Sequence, residues 1–175
     1  MNLILDQRFC RTTVEQFVAL YFSDEFNDAI CPAIGVRSRT LLLREPHPDG
    51  TLRLRTRVAP CVHLPPPLCH WVGRLPIEYE EVSRYDPRQL RLDYVIEHAA
   101  RHVLEVQGSI CFAALPDGVQ QRVEVAVTVR LPAVRPMVER IIGDELRRSF
   151  ERKAELMQQR FDGAPVVPEQ ACGCR

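Results

Sequence analysis

The chain has 175 residues with 23 basic and 23 acidic side chains, so its formal net charge is zero, and 46% of its residues are hydrophobic. This composition is that of one globular domain with a core of its own. The balanced charge gives no support for long-range attraction to nucleic acid or an anionic membrane, and no segment approaches the ~18 apolar residues of a membrane span. We therefore expect no nucleic-acid partner and no stable membrane insertion, while transient membrane contact stays open.

The cysteines and the N-terminus bear on cellular location. The seven cysteines are odd in number and scattered through apparent strands and helices, which does not suit a disulfide framework. The first ten residues include Asp6 and lack the basic start and apolar run of a secretory signal. We expect a reducing, cytoplasmic environment. Lys153 is the only lysine among the basic residues, a bias that we interpret as drift in a GC-rich genome.

The chain begins with a predicted strand and two predicted short helices. Alternating apolar and polar residues indicate a strand over residues 3–12. Thr13 and Gln16 have the spacing of a capping box at the start of the first helix. Ser23 has the character of a second N-cap, and the helix that follows it, which carries a proline, ends near Gly35.

Six strand-like segments follow, at residues 36–45, 51–58, 76–86, 89–100, 103–115 and 120–131. Each has one apolar and one polar face, as an antiparallel sheet with one solvated side requires. Turn sequences such as Asp49-Gly50 predict hairpin connections. Tyr79 and Val82 fall on opposite faces of their segment, and a β-bulge between them would bring both apolar side chains to one side.

The last element is a long amphipathic helix within residues 134–161, and about 25 helical residues would span roughly 37 Å. A twisted sheet of seven strands curls, and only this helix is long enough to cover its concave apolar face. Residues 163–175 have Gly and Pro without periodicity and predict a flexible tail, in which Cys172 and Cys174 have no expected role. The apolar face of the helix comprises Val138, Ile141, Ile142, Leu146, Phe150, Ala154, Met157 and Phe161.

The order β-α-α-β6-α, with the segments SDEFNDAICPAIG and PMVERIIGDELRRSFERKAELM, resembles the helix-grip fold. START-like lipid-transfer domains, the birch-pollen-allergen group and bacterial polyketide cyclases (the SRPBCC superfamily) share that fold. The chain is most similar to a bacterial family of the fold without an assigned function. Over residues 1–162 the resemblance implies a single START-like α+β domain, in which a curved seven-stranded antiparallel sheet surrounds the C-terminal helix.

The resemblance also implies a cavity between sheet and helix that takes up an apolar or amphipathic molecule. The inward faces of the strands and the helix would line it, and Tyr79 and Tyr94 would supply polar groups that orient a ligand. Each apolar residue among these also suits plain core packing. The expected lining residues are Leu54, Tyr79, Tyr94, Ile96, Ile110, Phe112, Val125, Val127, Ile142, Leu146 and Phe150.

The expected function is binding or transport of a hydrophobic, lipid-like small molecule without catalysis, and fold alone does not decide it. A cyclase- or hydratase-type enzyme in the same pocket, using Tyr or His as acid–base groups, is one alternative. Two convergent titratable groups in the pocket would favour the enzyme, whereas a pocket that is apolar throughout would favour the carrier. A protein-interaction module with a solidly packed interior is the other alternative.

Two clusters of reactive residues lie outside the expected cavity. His98 and His102, with Glu97 and Glu105 nearby, form the best acid–base group, but a hairpin end is usually solvated, and we predict no catalytic residue. The Pro-rich segment 61–71 contains a second cluster.

That second cluster raises the question of a metal. Its spacing is uncommon for zinc, and adjacent ligands rarely bind one ion, so we expect neither a metal nor another cofactor. Three roles are open for the same loop. We expect it to pack on its own domain, and the alternatives are a lid over the cavity mouth and a surface that touches a membrane. Its candidate ligands are Cys61, His63, Cys69 and His70.

Overall fold

The computed structural model of the chain describes residues 1–61, 78–99 and 102–163. Most of the Pro-rich loop and nearly all of the expected tail, including Cys172 and Cys174, lie outside these residues. The described elements follow the predicted order β-α-α-β6-α. They are β1 (Asn2–Cys10), α1 (Val14–Tyr21), α2 (Asp24–Ile30), β2 (Val36–Pro46), β3 (Leu52–Pro60), β4 (Tyr79–Asp86), β5 (Arg91–Glu97), β6 (Leu104–Leu115), β7 (Gly118–Val129) and α3 (Arg135–Phe161).

The capping signals read from the sequence are present. The Thr13 hydroxyl accepts a hydrogen bond from the backbone N–H of Gln16 at 3.3 Å, and the Gln16 side chain accepts one from the N–H of Thr13 at 3.1 Å. This reciprocal pair satisfies two N–H groups that the first turn of a helix otherwise leaves unbonded. Ser23 caps α2 in the same way by accepting from the N–H of Phe26.

The second helix is shorter than its sequence pattern predicts. It ends at Ile30, and residues Cys31–Ile34 form one turn of 3-10 helix. Pro32 explains the change, because its nitrogen carries no hydrogen for an α-helical bond. The turn ends at Gly35, whose φ of 73° lies in the left-handed region where a side chain is disfavoured.

All seven strands form one antiparallel sheet in the order β1-β7-β6-β5-β4-β3-β2. Strand β4 corrects the sequence analysis, because its pairing with β3 and β5 runs without a register shift from Tyr79 to Tyr85. No bulge therefore moves Val82 to the inward face. The two-residue period of a strand instead turns Glu81 inward together with Tyr79, opposite Thr56 on β3.

Helix α3 lies across the apolar face of the sheet and closes the core. Its backbone approaches β1, β7 and the 3-10 turn most closely. Gln7 donates a hydrogen bond to the backbone carbonyl of Phe150 at 3.1 Å, and Gln158 accepts one from the N–H of Cys10 at 2.9 Å. These bonds fix the helix on the edge strand. The predicted helix-grip architecture is confirmed.

Aromatic side chains fill the interior beneath α1 and the C-terminal end of α3. The rings of Phe9, Phe17 and Phe112 pack with centroid separations of 4.7 and 5.3 Å, and Phe161 of α3 stands against the first two. Tyr21 continues the cluster, 5.3 Å from Phe112. Such tilted and edge-on pairs are favourable beyond the area they bury. This end of the interior is a packed core.

No helix among the described residues is long and apolar enough to cross a bilayer.

The capping box gives a test of the fold. Thr13→Ala should lower the free energy of unfolding by about 1 kcal/mol, because the N–H of Gln16 loses its acceptor. Urea unfolding followed by circular dichroism measures the change. Thr128→Ala removes the same atoms from an exposed position on β7 and is the matched control. Equal effects of the two substitutions would contradict the assignment of the cap.

Candidate ligand site between the sheet and the helix

The structure places all the expected lining residues on the inward faces of the sheet and of α3, but it buries them unequally. Six of the expected lining residues on the strands are buried, namely Leu54, Tyr94, Ile110, Phe112, Val125 and Val127. The others are half-buried, namely Tyr79, Ile96, Ile142, Leu146 and Phe150. Their contact with a bound molecule stays a prediction.

The half-buried group has a shared location. Ile142, Leu146 and Phe150 belong to the N-terminal and middle turns of α3 and pack against the core without being covered by it. Tyr79 and Ile96 lie on β4 and β5, strands that the helix backbone approaches less closely than it does β1 and β7. These inward side chains are therefore less covered than those of the aromatic cluster.

Glu81 is a charged residue on this inward surface. It lies opposite Ile96 on β5 and Thr56 on β3. Burial raises the pKa of its carboxyl group, while the positive charges of Lys153 and Arg39 act in the opposite direction. No side chain or backbone group of the described residues forms a hydrogen bond or an ion pair with this carboxylate. A carboxylate oxygen is a strong acceptor, so Glu81 is an unusual residue to leave unpaired inside a protein.

Lys153 approaches the same space from α3. Its ammonium group donates a hydrogen bond to Oδ1 of Asn27 at 2.9 Å and lies 3.9 Å from the centre of the Tyr21 ring. The aromatic face stabilises the cation. Burial nevertheless lowers the pKa of Lys153 to about 8, and the charge of Glu81 opposes that shift. Among the ion pairs of the described chain, none joins Lys153 to Glu81.

Both side chains retain accessible surface although protein surrounds them. Partial burial of this kind shields a charged group from most of the solvent and so disfavours its charged form. Their opposite charges and displaced pKa values are typical of binding and catalytic sites, and structural ion networks also produce them.

Tyrosines complete the polar part of the interior. Tyr94 is buried, and its hydroxyl has no hydrogen-bond partner among the described residues. Burial raises the pKa of Tyr94, and the negative charge of Glu81 adds to the shift. Gly108 makes room for this ring, because a Cβ atom there would lie 2.6 Å from the Tyr94 hydroxyl. Burial also raises the pKa of Tyr79, with Glu81 again contributing.

Arg39 on β2 is a positively charged residue close enough to influence Glu81 and Lys153. Its guanidinium group binds the carboxylates of Asp24 and Asp28 at 3.2 and 3.3 Å, so two acids on α2 neutralise it. Cys31 lies nearby, where burial raises the pKa of its thiol. Within the described part of the chain, neither Glu81 nor Lys153 has an ion-pair partner of this kind.

Sequence reasoning missed Glu81, Lys153 and Asn27, although two signals pointed to the first two. Lys153 is the only lysine among 23 basic residues, and it stands between Phe150 and Met157 on the apolar face of the helix. Strict alternation from Tyr79 places Glu81 inward. Asn27 gave no signal, because its contact with Lys153 depends on how α2 packs against α3.

The two glutamates of the histidine cluster form ion pairs with arginines instead of contacting the histidines. Glu97 binds Arg55 at 2.9 Å and Glu105 binds Arg130 at 3.1 Å on the outward face of the sheet. The carboxylates beside the histidines are thus engaged elsewhere. Burial lowers the pKa of His98, which suits a half-buried neutral imidazole more than a poised catalytic base.

The described residues hold no group of three or more potential metal ligands. His63, Cys69 and His70 lie outside the described residues, so the proposed zinc ligands are represented only by Cys61. The loop's alternative role as a lid also lies outside them.

An open depression of 820 Å³ lies on the outward face of the sheet. Exposed side chains such as Ile4, Arg53 and Val95 line it, and several of its charged residues bind each other, as Arg91 and Asp93 do at 2.8 Å. Its width and the paired charges leave few groups to orient a ligand, so the interior beneath α3 is the stronger candidate.

Comparison with known proteins places the chain in a family and confirms its fold. Residues 7–160 match the family described as Protein of unknown function (DUF2505). No curated protein matches the sequence.

Three solved structures are similar in fold. TTHA0849 from Thermus thermophilus has a TM-score of 0.63 at 14% identity, over 89% of this chain and 95% of that one. The 18 kDa protein CC1736 from Caulobacter crescentus has a TM-score of 0.60 at 10% identity, over 94% and 99%. The di-domain ARO/CYC BexL from the BE-7585A biosynthetic pathway has a TM-score of 0.62 at 13% identity, over 89% and 45%. At these identities the likeness shows the fold alone.

The single lysine allows a direct test of its environment. In protein labelled with 13C-lysine, the one Cε resonance should titrate near pH 8, because burial disfavours the charged amine. Glu81→Gln should lower the midpoint further, since the carboxylate charge helps to retain the proton. The same sample unfolded in urea is the control and should titrate near the ordinary 10.5. A folded midpoint at that ordinary value would contradict the enclosed position of Lys153.

The same shift predicts a pH dependence of stability. The folded pKa lies below the ordinary one, so the unfolded chain binds the Lys153 proton more tightly between about pH 8 and 10.5. The contribution of Lys153 to the free energy of unfolding should therefore rise with pH across that window. Urea unfolding of wild type and Lys153→Met at pH 7.5 and 10 measures it. A difference between the two proteins that does not change with pH would argue against the shift.

A double-mutant cycle tests whether the two charges depend on each other. Glu81→Leu and Lys153→Met should each destabilise the fold by on the order of 1 kcal/mol, because each leaves one enclosed charge without the opposite charge that partly offsets its burial. The double variant should be at least as stable as the wild type, since it leaves none. Urea unfolding at pH 7 measures all four proteins. Strictly additive losses would mean that the charges do not interact.

Proposed function

The chain belongs to the family described as Protein of unknown function (DUF2505), and we propose that it binds and carries an apolar, lipid-like small molecule between its sheet and α3, without catalysing a reaction. One observation carries the proposal. Inward apolar side chains of α3, above all Ile142, Leu146 and Phe150, keep accessible surface although they face the core. A solidly packed interior would leave less of their surface accessible.

The interior has the division of surfaces that a ligand site needs. Apolar residues make up most of its lining, and a few polar groups converge at one place, namely Glu81, Lys153 and Tyr94. Apolar area supplies most of the binding free energy, and a few polar atoms fix orientation. Residues 1–162 would form the binding unit.

We place this carrier in the cytoplasm. Cys10, Cys31 and Cys111 are free thiols, and burial protects only the second of them. Exposed thiols suit a reducing compartment.

A cyclase-type enzyme in the same interior is the second candidate, and Glu81 with Lys153 favours it. These are two convergent titratable groups, a carboxyl with a raised pKa and an amine with a lowered one. An acid and a base of this kind are the groups that general acid–base catalysis uses. The resemblance to the ARO/CYC BexL in fold supports this candidate without choosing its reaction.

Native mass spectrometry of the purified protein, followed by solvent extraction, tests the carrier directly. A stoichiometric apolar adduct that extraction releases unchanged is the expected result. The extracted molecule is then added back to the protein, incubated and extracted again. A molecule that has changed chemically during this incubation would favour the enzyme instead.

Filling the interior should abolish binding. Leu146→Trp adds a large ring at the half-buried middle of α3 and should weaken the binding of Nile red, a neutral apolar dye, by about tenfold or more, because the two compete for one space. Fluorescence titration measures it. Arg147→Trp adds the same ring on the exposed side of the helix and should leave binding unchanged. Equal affinities in both variants would place the dye elsewhere.

A further inference from the structure

The outward face of the sheet carries an apolar row that no described helix covers, because α3 packs on the opposite face. The strand registers align six side chains at right angles to the strands, namely Leu43, Arg55, Val82, Val95, Gln107 and Ala126. Leu43 and Val95 are 44% and 41% exposed. The Arg55 guanidinium leaves the row to bind Glu80 and Glu97 at 2.5 and 2.9 Å, so mainly its aliphatic stem remains there. An exposed apolar row of this kind is typical of a docking site.

Charged side chains on both sides of the row are already paired within the chain. Arg84 binds Asp49 at 2.7 Å, and Arg91 binds Asp93 at 2.8 Å. A partner that covers this face would therefore bury few unpaired charges, which are the costly ones. The depression on this face is open and wide, so another protein surface fits it better than a small molecule does.

The charge pattern selects a second copy of this chain as the partner. A two-fold axis can run parallel to the strands, in the plane of contact, between β4 and β5. It places β4 of one copy over β5 of the other, so each residue faces the second copy of its own cross-strand neighbour. Three facing pairs are then complementary, namely Val82 with Val95, Arg84 with Asp93, and Asp86 with Arg91.

The strands on either side agree with this arrangement. The same axis places β3 over β6 of the second copy, where Arg57 faces Glu105. It places β2 over β7 of the second copy, where Leu43 faces Ala126. The apolar row therefore lies on the apolar row of the other copy, with oppositely charged groups facing each other on both sides of it.

Two facing pairs have like charges, and both lie where repulsion is reduced. Glu80 faces Glu97, and each carboxylate binds Arg55 of its own chain, which partly neutralises it. Glu45 faces Glu124 on the outermost strands of the contact. The complementary pairs, by contrast, include the two central strands.

An axis along the apolar row fits less well. It would place each strand over the same strand of the second copy with its direction reversed. Asp93 would then face Glu97 on β5, and Arg53 would face Arg57 on β3. Like charges placed opposite each other oppose association, so the axis parallel to the strands is the favoured one.

Shape and size also suit the favoured axis. Twist makes an open sheet saddle-shaped, and half a turn about an axis along its strands brings a saddle onto itself. Two copies therefore stay in contact across the face, as aligned sheets do in β-sandwiches. The six overlapping strands give a shared face of roughly 24 by 30 Å. This area is close to the ~800 Å² that each partner of a standard interface buries.

We propose that the chain forms a two-fold symmetric dimer through the outward face of its sheet. Val82 and Val95 lie at its centre, and Arg84 of each copy faces Asp93 of the other. The contact is on the side of the sheet away from α3, so it neither blocks nor depends on the proposed ligand site.

Sedimentation velocity of the full chain over a range of concentrations tests the association. The wild type should approach the mass of a dimer as its concentration rises. Val95→Glu should weaken dimerisation by at least about tenfold, because it buries a charge opposite Val82. Met137→Glu changes a side chain of similar exposure, 38%, on α3 and is the matched control. It should dimerise as the wild type does.

Charge reversal tests which residues face each other. Arg84→Glu should oppose dimerisation because its new carboxylate faces Asp93 of the second copy, and Asp93→Arg should do so because its new guanidinium faces Arg84. Mixed in equal amounts, the two variants should form a dimer, since both facing pairs at these positions then have opposite charges. Circular dichroism should show both variants folded, because both side chains are exposed.

Each outcome decides the proposal. A wild type that stays monomeric at its highest soluble concentration overturns it and leaves the face to a different protein. A dimer that Val95→Glu leaves intact uses another surface, which overturns it too. If both reversed variants lose dimerisation and mixing does not restore it, the two-fold arrangement is wrong. Restoration on mixing supports it, because a defect within one chain cannot be repaired by the other.

Discussion

The apolar face of the sheet must be covered, and this constraint organises the whole chain. Seven antiparallel strands present one such face, and α3 is the only described helix long enough to span it. Burial of that face provides the main favourable free energy of folding. Gln7 and Gln158 bind α3 to β1 and so decide which strands it covers. The helix therefore packs closely at one side and leaves the inward faces of β4 and β5 less covered.

Glu81 and Lys153 are charged residues that turn toward the interior from β4 and from α3. Each contradicts the hydrophobic pattern of its own element, and the two contradictions meet in space. A buried charge is costly, and the fold compensates Lys153 with Asn27 and the Tyr21 ring while it provides no hydrogen-bonding partner for Glu81 within the described chain. Violations of pattern that a fold retains tend to mark function, since stability alone would replace both residues with apolar ones.

Sequence patterns predicted the fold well because they are local. The caps at Thr13 and Ser23, the two-residue alternation of the strands and the period of α3 each depend on neighbours along the chain. The polar part of the site was harder to predict. A bulge was invoked to turn Val82 inward, and that assumption hid Glu81, which the regular register of β4 turns toward the core.

The sequence by itself determined the order of the elements, the apolar faces and the need for a covering helix, because period and capping are properties of adjacent residues. Only the tertiary structure decided that Lys153 meets Asn27, 126 positions away, and that the charge of Glu81 acts on Lys153. Contacts of that kind depend on the crossing of α3 over the sheet and on the seating of α2. No local pattern encodes either, so the polar site emerges only when the elements are packed together.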